Sequence, residues 1–93
     1  MIYLDHSATS FLKPPEVSRA MLRAMKECSS VGRGGHSLAM KAAEVVHQCR
    51  REGAALFDAE AEQVVFTMNS TESLNIAIKG ILEKGDHAIT TAL

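Results

Sequence analysis

Tryptophan is absent from this 93-residue chain, tyrosine occurs once and phenylalanine three times. So few flat rings leave no ladder on which unpaired bases could stack. Charge of one sign is missing as well: ten Lys and Arg stand against eleven Asp and Glu, a formal net of −1. A nucleic acid or an acidic membrane surface has no electrostatic reason to bind, so neither is expected as a partner. No apolar run approaches the roughly 20 residues that a membrane-spanning helix needs. The N-terminus has no basic stretch followed by an apolar one, so no secretory leader is expected and the cytoplasm is the expected compartment. The two cysteines, Cys28 and Cys49, lack metal-ligand spacing and no metal site is expected. They read as small apolar packing residues in a reducing environment. Neither a Gly-Lys-Ser/Thr loop nor a dinucleotide fingerprint occurs.

The composition that is present, 46% hydrophobic and 23% charged, fits a globular protein. A chain this short makes one small domain at most, or part of a larger one, and buries a modest share of its surface. Three segments follow one another: an arm over 1–14, a helical segment over 15–62, and the start of an α/β domain over 63–93. The arm, with Tyr3-Leu4-Asp5-His6-Ser7-Ala8-Thr9-Ser10, reads as extended. Pro14 and Pro15 then open a helix, because proline is tolerated in the first turn. Val17, Ala20, Met21, Ala24, Met25 and Cys28 recur at three- and four-residue steps and form its apolar face.

Ser29 to His36 reads as a loop with three glycines, an arginine and a histidine. It is either a plain connector or an active-site or interface loop. Ser37 is expected to cap a second helix reaching about Phe57, with Leu38, Ala42, Val45, Val46, Cys49, Leu56 and Phe57 on its apolar face. Gly53 inside it points to close packing against another element. Asp58 to Glu62 reads as a solvated acidic connection.

Gln63 to Thr67 has the pattern of a short buried strand. It feeds the polar turn Asn69-Ser70-Thr71-Glu72, and a third helix is expected from about Thr71 to Leu82, ended by Gly85. That helix is apolar over more than half its circumference, as befits one packed on two sides. His87 to Thr91 reads as a second parallel strand, giving a β-α-β unit. A strand running into a helix N-terminus presents free backbone N–H groups and the positive end of the helix dipole to an anion. In open α/β folds that is where phosphorylated ligands bind. The plainer reading is a helix cap, with Asn69 as N-cap and Glu72 reaching back. The two readings are compatible.

Four motifs stand in order: Ile2-Tyr3-Leu4-Asp5-His6-Ser7-Ala8-Thr9, Arg33-Gly34-Gly35-His36, Phe66-Thr67-Met68-Asn69-Ser70-Thr71-Glu72-Ser73-Leu74-Asn75, and Lys84-Gly85-Asp86-His87-Ala88-Ile89-Thr90-Thr91. Together they resemble the N-terminal quarter of class V aminotransferases, and within them the cysteine desulfurases and selenocysteine lyase-like enzymes. The resemblance implies an aspartate aminotransferase-like α/β fold, pyridoxal 5′-phosphate as cofactor, and a homodimer. It implies that Ser70 and Thr71 hold the cofactor phosphate, and that Ala8, Thr9, Arg33 and His36 lie at the substrate entrance or the dimer interface.

The implied reaction takes sulfur from cysteine, leaving alanine and an enzyme persulfide, with a sulfur-acceptor protein as a further partner. The family's Schiff-base lysine and persulfide cysteine match no residue here, so no catalytic residue is expected within these 93 residues and the segment alone is not expected to catalyse. His6-Ser7 and Asn69 depart from the family pattern, which usually has Asn-Ala and Gly there. A non-enzymatic reading also stands: a truncated paralogue that oligomerises or binds a phosphorylated ligand.

Overall fold

The computed structural model describes residues 1–92, and proline opens its first helix as the sequence predicts. Helix α1 spans Pro15–Glu27, with Pro15 in the first turn, where its missing N–H is not needed. Glu16 near its start and Lys26 near its end both complement the helix dipole.

Helix α2 spans Ser37–Leu56, and its N-cap is His36 rather than Ser37. His36 is extended, its carbonyl accepts from the N–H groups of Ala39 and Met40, and its ring Nδ1 accepts from Ala39 N–H at 3.4 Å. Ser37 is already helical, one position too late to cap. At the other end Asp58 takes a left-handed conformation, φ 51°, and Ala59 N–H donates to the Ala54 carbonyl at 2.9 Å. This closes the helix in the manner of a Schellman motif, and aspartate tolerates the left-handed region better than most residues. The acidic connection is more ordered than the sequence indicates. Ala61–Gln63 forms a single 3₁₀ turn in which Glu60 and Gln63 cap each other.

Helix α2 packs against both α1 and the 3₁₀ turn. The residues buried among those described are Ala39, Ala42 and Ala54. Of the seven apolar positions expected on the inner face of α2, Ala42 alone is buried, while Leu38, Val45, Leu56 and Phe57 are exposed. Where α1 meets α2 the seam keeps a cleft of about 230 Å³ lined by Ala20, Ala24, Cys28 and Val45, bridged at the rim by the ion pair of Glu27 with Lys41. At Gly53 a Cβ would stand 3.8 Å from Val64 Cγ1, ordinary van der Waals contact, so the packing there does not require the glycine.

Helix α3 spans Ser70–Ile81 and packs on neither α1 nor α2. It ends before Gly85, which at φ 106° serves instead a turn in which Asp86 N–H donates to the Glu83 carbonyl. No β-strand forms among the described residues. Gln63 to Thr67 passes from the 3₁₀ turn into unpaired chain, and His87 to Thr91 is unpaired as well. A strand exists only with a neighbour to complete its ladder of hydrogen bonds, and neither segment has one.

The dimensions agree. The radius of gyration is 17.7 Å, against about 12 Å for a compact domain of this length. The accessible surface is 8797 Å² for 10.0 kDa, whereas a folded monomer of that mass shows roughly 5,200 Å².

Candidate functional site

The arm is folded rather than extended. The Tyr3 hydroxyl lies between two backbone acceptors, the carbonyls of Thr9 at 2.8 Å and Asp5 at 3.1 Å. The Asp5 carbonyl also accepts from the N–H groups of Ala8 and Thr9. The Tyr3 ring meets His6 edge-on, with centroids 4.7 Å apart, and Phe11 at 5.3 Å. Apolar residues spaced along an arm can close it on itself, and a tyrosine supplies both the ring and the donor. Ala8 and Thr9 sit on the exposed side of this loop.

In the glycine loop, Arg33 is exposed and makes no ion pair among the described residues. His36 lies against Gly34: a Cβ at position 34 would stand 2.9 Å from the ring Cδ2 and 3.0 Å from Nε2. Glycine is needed there so that the imidazole can reach the first turn of α2. With Nδ1 accepting from the backbone, the proton of the neutral ring is on Nε2, which points toward Gly34.

The turn before α3 is built as a cap that leaves donors over. Asn69 Oδ1 accepts from Glu72 N–H at 2.9 Å, as the sequence predicts. Glu72 reaches one residue further back than a standard capping box and accepts from Met68 N–H at 2.7 Å. Thr67 Oγ1 pairs with Ser73 Oγ, tying the incoming chain to the first turn of the helix. With Ser73 N–H donating to the Asn69 carbonyl, the N–H groups of Met68, Glu72 and Ser73 are all engaged. Among the described residues no group accepts from the N–H of Ser70 or Thr71, and their hydroxyls are equally unengaged. Two N–H groups and two hydroxyls thus remain without an acceptor at a helix N-terminus, and free donors at such a terminus suit a phosphate. The Glu72 carboxylate sits at the same helix end, but its Oε2 is turned back to Met68 N–H.

No hydrogen bond or ion pair among the described residues joins the arm, the Arg33–His36 loop and the Ser70–Thr71 turn. Each is formed locally. Neither does any group of three His, Cys, Asp or Glu among the described residues lie placed to hold a metal ion. No helix among them is long and apolar enough to cross a membrane.

The donor-rich turn at the head of α3 follows the arm and the glycine loop in chain order. The family model for aminotransferase class-V matches residues 2–93, and the chain belongs to that family. Relatives that it matches include cysteine desulfurases. The chain is 36% identical to "Cysteine desulfurase IscS" of Stutzerimonas stutzeri, an alignment covering 99% of this chain and 24% of the relative. It is 38% identical to the protein of the same name from Ehrlichia chaffeensis, over 96% of this chain and 22% of the relative. A "Probable cysteine desulfurase" of Methanothermobacter thermautotrophicus is 34% identical over 95% of the chain. The chain therefore spans about a quarter of the length of the curated relatives it matches. No solved structure matches it.

Three contacts in the structure have no clear signal in the sequence. Thr67 with Ser73 joins positions six apart across a helix start. Lys41 pairs with Glu27 on another helix. Arg50, a polar-side residue by periodicity, has its guanidinium over the Phe66 ring at 5.8 Å. Each depends on how two elements meet, which periodicity within one element does not encode.

Proposed function

We propose that this chain is the N-terminal portion of a pyridoxal-phosphate-dependent cysteine desulfurase of the cytoplasm, and that Ser70 and Thr71 hold the cofactor phosphate. The observation that carries this reading is the donor set at the head of α3, where the cap is complete and two N–H groups and two hydroxyls remain free. The order of the four motifs and the similarity to cysteine desulfurases support it. When bound, pyridoxal phosphate supplies an electron sink for chemistry at the substrate α-carbon. The residues of this chain bind and orient: Ser70 and Thr71 anchor the phosphate, while Ala8, Thr9, Arg33 and His36 border the approach or the dimer contact. The parent enzyme converts cysteine and an enzyme thiol into alanine and an enzyme persulfide, which passes to a sulfur-acceptor protein. Segments 1–14, 15–62 and 63–93 are its arm, its helical segment and the start of its large domain. There, residues 63–67 and 87–91 become neighbours in a parallel sheet.

Amide shifts on titration test the anchor. Pyridoxal 5′-phosphate and inorganic phosphate should both move the Ser70 and Thr71 signals, whereas pyridoxal without phosphate should not. Shifts elsewhere, or none, remove the phosphate assignment. For the parent polypeptide the expected activity is alanine formation from cysteine in step with sulfide release under a thiol reductant. A second reading is the oligomerising module without catalysis, which the bare apolar surface of α3 favours. Sedimentation of the chain as a monomer would count against it.

A further inference from the structure

What orients the Ser70–Thr71 turn is not α3 itself, since α3 packs on neither α1 nor α2. The connection runs through the segment just before it. Val64 lies against Gly53 of α2, and two residues on, Phe66 carries the Arg50 guanidinium over its ring, with Cζ 5.8 Å from the centroid. Arg50 enters no ion pair among the described residues, and its Nε is buried without a hydrogen-bond partner. A partly desolvated guanidinium without a carboxylate partner is the case in which attraction to a ring face counts most. Phe66 is followed directly by Thr67, whose hydroxyl is bonded to Ser73 in the first turn of α3. The position of the ring is thereby passed to the turn through one peptide unit.

We propose that Arg50 is a positioning residue: by holding Phe66 against α2 it fixes the direction in which the Ser70–Thr71 turn faces. Its consequence for the cofactor rests on the reading of that turn as the phosphate anchor, but the contact can be tested without any ligand. Spin labels are placed at Glu44→Cys on α2 and Lys79→Cys on α3, with Cys28→Ser and Cys49→Ser removing the native thiols. The interlabel distance distribution should be narrow. Arg50→Gln should broaden it at least about twofold while the helix content by circular dichroism stays unchanged, and Phe66→Leu, at a position 52% exposed, should broaden it equally. The double variant should add nothing further, and Phe66→Tyr, which keeps the ring, should preserve the narrow distribution. A distribution already broad in the labelled parent overturns the proposal, as does one unmoved by Arg50→Gln. If Arg50→Gln loses helix content, Phe66→Leu decides: an unmoved distribution there overturns it. Absence of phosphate-dependent shifts with these distances intact sinks the cofactor reading and leaves the contact standing.

Discussion

Helices α2 and α3 both carry apolar residues in quantity, yet among the described residues α2 packs against other helical elements and α3 against none. Helix α2 meets α1 and the 3₁₀ turn, and it carries all the buried residues among those described, Ala39, Ala42 and Ala54. In α3, the larger residues Leu74, Ile76, Ile78 and Ile81 all face outward. Length of connection does not decide burial here, since residues 28–36 join α1 to α2 and the shorter 64–69 join the 3₁₀ turn to α3. A helix between two unpaired extended segments has no neighbouring sheet to cover it. Hydrophobicity alone therefore does not tell which helix is held in place.

The sharpest way to break this contrast is a matched pair of substitutions followed by urea unfolding. Ala54→Leu forces extra volume into a site 3% exposed and should cost about 1–3 kcal/mol. Ile78→Ala, at a position 54% exposed, should change stability by less than about 0.5 kcal/mol. Equal effects would mean that α3 is packed after all. A smaller effect is expected at the head of α3. Asn69→Ala removes the side-chain acceptor for Glu72 N–H and should weaken that helix by about 1 kcal/mol. The α3 amide signals should report it while those of α2 stay unchanged, and a loss shared by α2 would tie the two regions together.

The smallest effect belongs to the rim of the α1–α2 seam. The hydrogen bond from Lys41 holds the Glu27 carboxyl below its ordinary 4.5, opposed by partial desolvation and aided by the charges of Lys41 and Arg23. The same bond to Glu27 holds Lys41 above its ordinary 10.5. A lowered acid contributes stability that is present above 4.5 and lost as pH falls through its folded value. A raised lysine contributes stability that is present below 10.5 and lost as pH rises through its folded value. The clamp should thus operate between those limits, weakly, because both side chains are nearly half exposed. Lys41→Met should raise the titration of the Glu27 carboxyl in a carbon-detected pH series. Titration unchanged from the parent would dissolve the clamp.

Local signals were readable from residue types. Pro15 opening α1 and Asn69 capping α3 with Glu72 reaching back both follow from rules that act within a few residues. Other features depend on which atoms meet. His36 rather than Ser37 caps α2 because its ring folds over Gly34, a placement no propensity describes. The arm closes because one tyrosine hydroxyl reaches a carbonyl six residues on. The expected strands at 63–67 and 87–91 depend on partners, and among the described residues neither has any. The cap at the head of α3, made by Asn69 and Glu72, is of the first kind.

Tyr3 gives the arm a voice of its own. With no tryptophan in the chain and no second tyrosine, ultraviolet emission above the weak phenylalanine band comes from a single ring, the one between His6 and Phe11 whose hydroxyl meets the Thr9 carbonyl. Opening and closing of the arm can therefore be followed in the unmodified protein, without a label, by the light it emits.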